Sequence, residues 1–257
     1  MIGLEGAGWV RFPADRESLA WAGAARLAAE RAIADPANAH WLQCEGTWFV
    51  GVNILDTMPA GNIGDVPLAG PALAALRAAG LWPAAWDRAQ VSVIHPGYPR
   101  PRAGESAAGF RYRRERDAAH VDGLMAMGSG RRRMMREFHG FILGLPLSEA
   151  DPGAAPLVVW EGSQRIMARA FRAALAGRKP EDWPEIDLTE IYQDARREAF
   201  ASCPRVPIHA RPGEAYLLHR FALHGVAPWA EGAGAEQAGR MIAYFRPEIA
   251  PEDWLDG

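Results

Sequence analysis

Gly213-Glu214-Ala215-Tyr216-Leu217-Leu218-His219-Arg220-Phe221-Ala222-Leu223-His224-Gly225 is the stretch on which the reading of the fold turns. It is entered from Arg211-Pro212-Gly213-Glu214, four residues with turn chemistry. Residues 215–218 are then continuously apolar or aromatic and bounded by polar groups, the pattern of a short buried strand. Two histidines follow, five positions apart. An odd spacing places them on opposite faces of an uninterrupted strand, so a bend is expected between them. One of the two can then bind a metal while the other packs behind it or orients a neighbour.

Working outward, similar short apolar runs recur at 46–55, 90–95, 138–147, 157–160, 206–210, 221–224 and 241–245, separated by turn residues. Helical patterns fall at 18–34, with Asp15 or Ser18 as cap, and at 72–79, 163–175 and 188–200, with Ser163 as a candidate cap for the third. The arginine-rich segment 110–116 reads as a loop or hairpin arm. Many short strands with polar turns favour a sandwich or barrel over a doubly wound sheet. Neither a glycine-rich dinucleotide fingerprint nor a phosphate loop occurs. The expectation is one domain over 1–257: a helical part to about residue 45, then a mainly β core over 46–247 with helical insertions.

Composition narrows the function classes. The 257 residues carry a net charge of −3, which gives no support to a general nucleic-acid binder. Lys179 is the only lysine, and the arginines cluster at 111, 113, 114 and 116 and again at 131–133 and 136. Such clusters read as solvated surface or as an attractor for an anionic substrate. Cys44 and Cys203 have no metal or redox spacing and read as free thiols. No leader pattern and no apolar run of about 18 residues is present, so a cytoplasmic protein without membrane contact is expected.

The chemistry begins at Ala118-Ala119-His120-Val121-Asp122-Gly123. In extended backbone, His120 and Asp122 share a face, with Val121 turned away. An imidazole beside a carboxylate suits ferrous iron, with room for a third protein ligand and open positions. His224 or His219 can supply that ligand. Arg240 opens the strand Met241-Ile242-Ala243-Tyr244-Phe245. If it points inward, it can pair with a carboxylate through its fork, and Ile242 and Tyr244 share its face; otherwise it is a solvated edge residue.

Taken in order, these strings resemble the phytanoyl-CoA dioxygenase-like branch of the iron(II)/2-oxoglutarate-dependent oxygenases. His120-x-Asp122 matches the ligand pair, Tyr216-Leu217-Leu218-His219 the aromatic-apolar-His stretch, and His224-Gly225 the distal ligand and its glycine. Leu145-Pro146-Leu147, Asp151, Pro156 and Glu161-Gly162-Ser163 resemble the central strand, acidic loop and Gly-Ser turn. The resemblance spans roughly 48–247. It implies a double-stranded β-helix, or jelly roll, of about eight core strands with flanking helices. It also implies an iron(II) ion held by His120, Asp122 and His224, with Arg240 on the far carboxylate of 2-oxoglutarate.

The implied reaction consumes dioxygen and 2-oxoglutarate and oxidises a small molecule, normally by hydroxylation. Asp122 favours that outcome over halogenation, for which related enzymes replace the carboxylate ligand with a small residue. The chain departs from the pattern at Ile242, where many relatives carry serine or threonine. Another polar partner for the cofactor is then needed, and Tyr98, Tyr244 or a water can serve. Two other readings use the same residues: a jelly-roll metalloenzyme without 2-oxoglutarate, and a non-catalytic metal- or ligand-binding module.

Overall fold

A computed structural model describes residues 2–236 and 239–256. In chain order the strands are β1 (Trp9–Phe12), β2 (Leu42–Gln43), β3 (Trp48–Phe49), β4 (Gln90–Ile94), β5 (Leu124–Met127) and β6 (Arg132–Met135). There follow β7 (Phe141–Pro146), β8 (Leu157–Trp160), β9 (Arg205–Ile208), β10 (Ala215–His219), β11 (His224–Val226) and β12 (Arg240–Phe245). The helices are α1 (Ile2–Gly6), α2 (Arg16–Ala34), α3 (Pro71–Ala78), α4 (Ala107–Glu115), α5 (Ser163–Leu175), α6 (Thr189–Ser202) and α7 (Pro251–Trp254).

A large antiparallel sheet has the order β1-β10-β7-β12-β4-β3-β2, and a smaller one has β11-β8-β9. Strands β4, β7 and β10 are buried along their whole length, so neither face meets water. Period-two alternation then divides their side chains between two cores. Leu143, Leu145, Leu217, Ala243 and Phe245 pack against Trp21 and Ala25 of α2 and Leu73 and Leu76 of α3. Ile142, Tyr216, Leu218 and Ile242 point the other way, onto Leu157, Val159 and Ile208 of the small sheet. Behind that sheet, Val158 and Trp160 pack on Phe171 of α5 and Ala199 of α6. The result is four layers, helices, sheet, sheet, helices, with two antiparallel sheets face to face as a jelly roll. No helix among the described residues is long and apolar enough to cross a membrane.

Several local expectations change. The 46–55 run supplies only the two-residue β3, because Gly51 turns the chain with φ +47° and brings it onto the Val91 carbonyl. The segment expected as a loop or hairpin arm at 110–116 lies mostly in helix α4, which Ser106 caps by accepting the Gly109 N–H at 3.1 Å. The 221–224 run is a turn, and the strand starts at His224. Ser163 is not a cap: Gly162 holds that place, and Ser163 Oγ accepts the Leu223 N–H at 2.9 Å, tying α5 to the segment before His224. Asp15 caps α2, accepting from Glu17 and Ser18. The N-terminal helical region also contributes β1, paired with β10 from Trp9↔Leu218 to Phe12↔Ala215.

Phe245 is fully buried, with its ring centroid 5.7 Å from Trp21 and 5.1 Å from Trp86. Phe245→Ala is expected to cost about 3–5 kcal/mol in urea denaturation. The half-exposed Leu19→Ala should stay within about 0.5 kcal/mol.

Candidate metal centre

His120 and His224 are directly opposed across an antiparallel bridge. The His120 N–H donates to the His224 carbonyl at 2.8 Å, and the His224 N–H to the His120 carbonyl at 3.0 Å. Opposed residues of such a pair project from the same face, which brings the two imidazoles to a centroid distance of 4.6 Å. Asp122, two residues beyond His120, projects from that face as well. Its Oδ1 lies 3.0 Å from His120 Nε2 and 3.7 Å from His224 Nε2. One ligand atom from each residue falls within 4.8 Å of the others.

The tautomers are set by the backbone. His120 Nδ1 donates to the Ala118 carbonyl at 3.0 Å and His224 Nδ1 to the Ala222 carbonyl at 2.9 Å. Both Nε2 lone pairs are therefore turned toward Asp122, the arrangement a metal-binding histidine needs. Burial pushes His224 down to about 4, so its ring is neutral at pH 7. Burial works against an ionised Asp122. Its neighbours His224, Arg246 and His120 outweigh that burial and hold the carboxyl well below the ordinary aspartate range.

Two features clamp the segment that carries His120. Asp117, itself buried, accepts two hydrogen bonds from Arg205 of β9, at 2.7 and 2.9 Å, and its carbonyl accepts the Val226 N–H at 2.9 Å. Gly225 makes this approach possible, because a Cβ there would lie 2.2 Å from the Asp117 oxygen.

The triad opens on a cavity of about 240 Å³ walled by Trp48, Tyr98, Ile142, Leu218, Tyr244 and Arg246. Tyr98 and Tyr244 line the triad cavity. Arg240 does not. It is buried and faces inward, but it lines a separate pocket of about 10 Å³ with Tyr216, Ile242 and Ser148. Its Nη1 has no hydrogen-bond partner.

The cation that does reach the triad is Arg246, six residues on and on the same strand face. Its Nη1 is 3.5 Å from Asp122 Oδ2 and its Nη2 donates to Gln90 Oε1. Period two carried one step past the strand end finds Arg246. Asp117 and Arg205 are 88 residues apart, and no local pattern joins them.

Other histidines and tryptophans have structural partners. His219 Nδ1 accepts the Phe221 N–H at 3.0 Å, and burial pushes its pKa down to about 4. His139 donates to the Arg246 carbonyl at 2.8 Å and pairs with Glu137. Trp160 packs on Phe200, and Trp229 donates to the Ala233 carbonyl. The arginine clusters disperse into pairs such as Arg113–Glu105 and Arg136–Glu185. None of those arginines lines the triad cavity.

No protein-family profile matches the sequence, and no curated protein matches it. Solved structures do. The non-heme alpha ketoglutarate dependent carbocyclase SnoK from nogalamycin biosynthesis aligns over 96% of this chain and 85% of its own, with a TM-score of 0.51 and 15% identity. AviO1 from Streptomyces viridochromogenes Tue57 aligns over 96% and 93%, with a TM-score of 0.51 and 16% identity. At such identities the likeness is one of fold, the jelly roll described above.

Asp122→Ala is expected to reduce ferrous-iron affinity by about 100-fold or more, beyond the range for an outer partner of a ligand. Near-ultraviolet circular dichroism should keep its folded form. Asp117→Asn should cost about 1–2 kcal/mol of stability, allowing for the exposure of Arg205, and weaken iron less than loss of a ligand does. Calorimetric iron titration and thermal melting check both.

Proposed function

We propose that this protein is an iron(II)- and 2-oxoglutarate-dependent oxygenase that oxidises a small molecule. In this reading His120, Asp122 and His224 hold the metal and Arg240 pairs with the far carboxylate of the oxoacid. Two imidazoles and one carboxylate form a donor set suited to ferrous iron, with coordination positions left for cofactor and dioxygen. One observation carries the assignment of the cofactor. A buried guanidinium with an unspent donor, Arg240 Nη1, stands on the β12 face whose other end, Arg246, touches the triad. A buried cation lacking a partner is costly, and a carboxylate relieves that cost.

Bound iron and 2-oxoglutarate supply dioxygen activation coupled to oxidative decarboxylation, which yields succinate and carbon dioxide. The chain supplies the rest. The Ala118 and Ala222 carbonyls keep both Nε2 atoms free of protons. Arg246, steadied by Gln90, keeps Asp122 ionised. Val50, Val52, Ile142, Leu157 and Leu218 give the cavity apolar walls that limit water. The carboxylate at position 122 favours hydroxylation over halogenation, and the order of the motifs fits the phytanoyl-CoA dioxygenase-like branch.

The separation of Arg240 from the triad cavity favours a second reading, a metalloenzyme of the same fold that uses no oxoacid. Anaerobic loading with iron, followed by 2-oxoglutarate and air, decides between them. Succinate release that depends on iron is expected by mass spectrometry. Arg240→Ala should raise the Kd for 2-oxoglutarate by more than about tenfold and leave iron affinity unchanged. A protein that binds iron but neither binds nor consumes 2-oxoglutarate overturns the oxygenase reading.

A further inference from the structure

Between the triad cavity and the Arg240 pocket stand two tyrosines. Tyr244 lines the first and Tyr216 the second. Their hydroxyls meet at 3.0 Å, and burial pushes the Tyr216 phenol well above its ordinary range, so it stays protonated and able to donate. Tyr216 sits on β10 and Tyr244 on β12, and both are in register with the same residue of the intervening β7, Gly144. What occupies the space above it is the Tyr216 ring: a Cβ on Gly144 would lie 2.1 Å from Tyr216 Cε2 and 2.6 Å from its hydroxyl. Gly144 therefore lets one tyrosine lie across a strand and reach the other.

The Arg240 pocket, at about 10 Å³, holds no more than a single water. An oxoacid reaching from the triad to Arg240 must pass the tyrosine pair. Ile242 offers no hydroxyl at the strand position between Arg240 and Tyr244.

We propose that Tyr216 is a positioning residue for 2-oxoglutarate, acting with Tyr244. The far carboxylate replaces the hydroxyl–hydroxyl contact and accepts one hydrogen bond from each phenol, while Arg240 Nη1 supplies the charge. The carboxylate has acceptor capacity for all three donors. The two phenols do the work of the hydroxyl that position 242 lacks, and Gly144 is the residue that makes this geometry available. This inference rests on the function proposed above.

The test compares 2-oxoglutarate with 2-oxobutyrate, which keeps the oxoacid end and lacks the far carboxylate. Equilibrium binding to the iron-loaded protein is measured anaerobically through the charge-transfer absorption of the chelate. Tyr216→Phe is expected to weaken 2-oxoglutarate about tenfold, the loss of one hydrogen bond to a charged group. Binding of 2-oxobutyrate and of iron should be unchanged. Tyr244→Phe should do the same, and Gly144→Ala, which displaces the ring, should lower the preference for 2-oxoglutarate at least as far. If Tyr216→Phe destabilises the fold, Tyr244→Phe carries the test by the same ratio. A preference for 2-oxoglutarate over 2-oxobutyrate that survives these substitutions, or equal weakening of both acids, overturns the inference while leaving the oxygenase reading intact. Failure of the unsubstituted protein to bind 2-oxoglutarate overturns that reading, and this inference with it.

Discussion

Two backbone hydrogen bonds between His120 and His224 hold the rest of the site in place. They make the two imidazoles cross-strand neighbours, and the pleat then puts Asp122 on the same side. No side chain has to be strained to bring three ligand atoms together, because the sheet geometry itself sets their spacing. The surrounding structure protects this bridge. Arg205 grips Asp117 on one side of it, and Ser163 holds the Leu223 N–H on the other. Gly225 lets the two backbones close.

The second constraint is burial on both faces of the large sheet. Because helices cover one face of the large sheet and the small sheet the other, each residue of its central strands is committed to one of two interiors. On β12 the alternation sends Met241, Ala243 and Phe245 to the helical core, and Arg240, Ile242 and Tyr244 to the interior between the sheets. A cation placed there is expensive, and the two arginines of this face meet the cost differently. Arg246 is satisfied by Asp122 and Gln90, whereas Arg240 keeps one donor idle. That difference sets the arginine that pairs with Asp122 apart from the one that keeps an unpartnered donor.

Much of this was legible beforehand for simple reasons. The short apolar runs at 90–95, 138–147, 157–160, 206–210 and 241–245 became strands, and the most deeply buried of them are near-continuously apolar because both of their faces are covered. His120 and Asp122 were paired by their spacing, and the choice of His224 over His219 came from the order of motifs. The segment 110–116 reads as an arm because its arginines draw attention away from the Ser106 cap that opens helix α4. The 46–55 run was misread because apolar content does not reveal a turn at Gly51.

By itself, then, the sequence determined where the short strands fall, that residues 120 and 122 share a face, and that the fold is a sandwich or barrel rather than a doubly wound sheet. Those are properties of local period and turn chemistry. Only the tertiary structure decided that His224 faces His120, that Arg246 rather than Arg240 reaches Asp122, and that Gly144 exists to seat Tyr216 against Tyr244. Each of these depends on register between strands distant in the chain, and register is set by the collective packing of both sheet faces, which no single segment encodes.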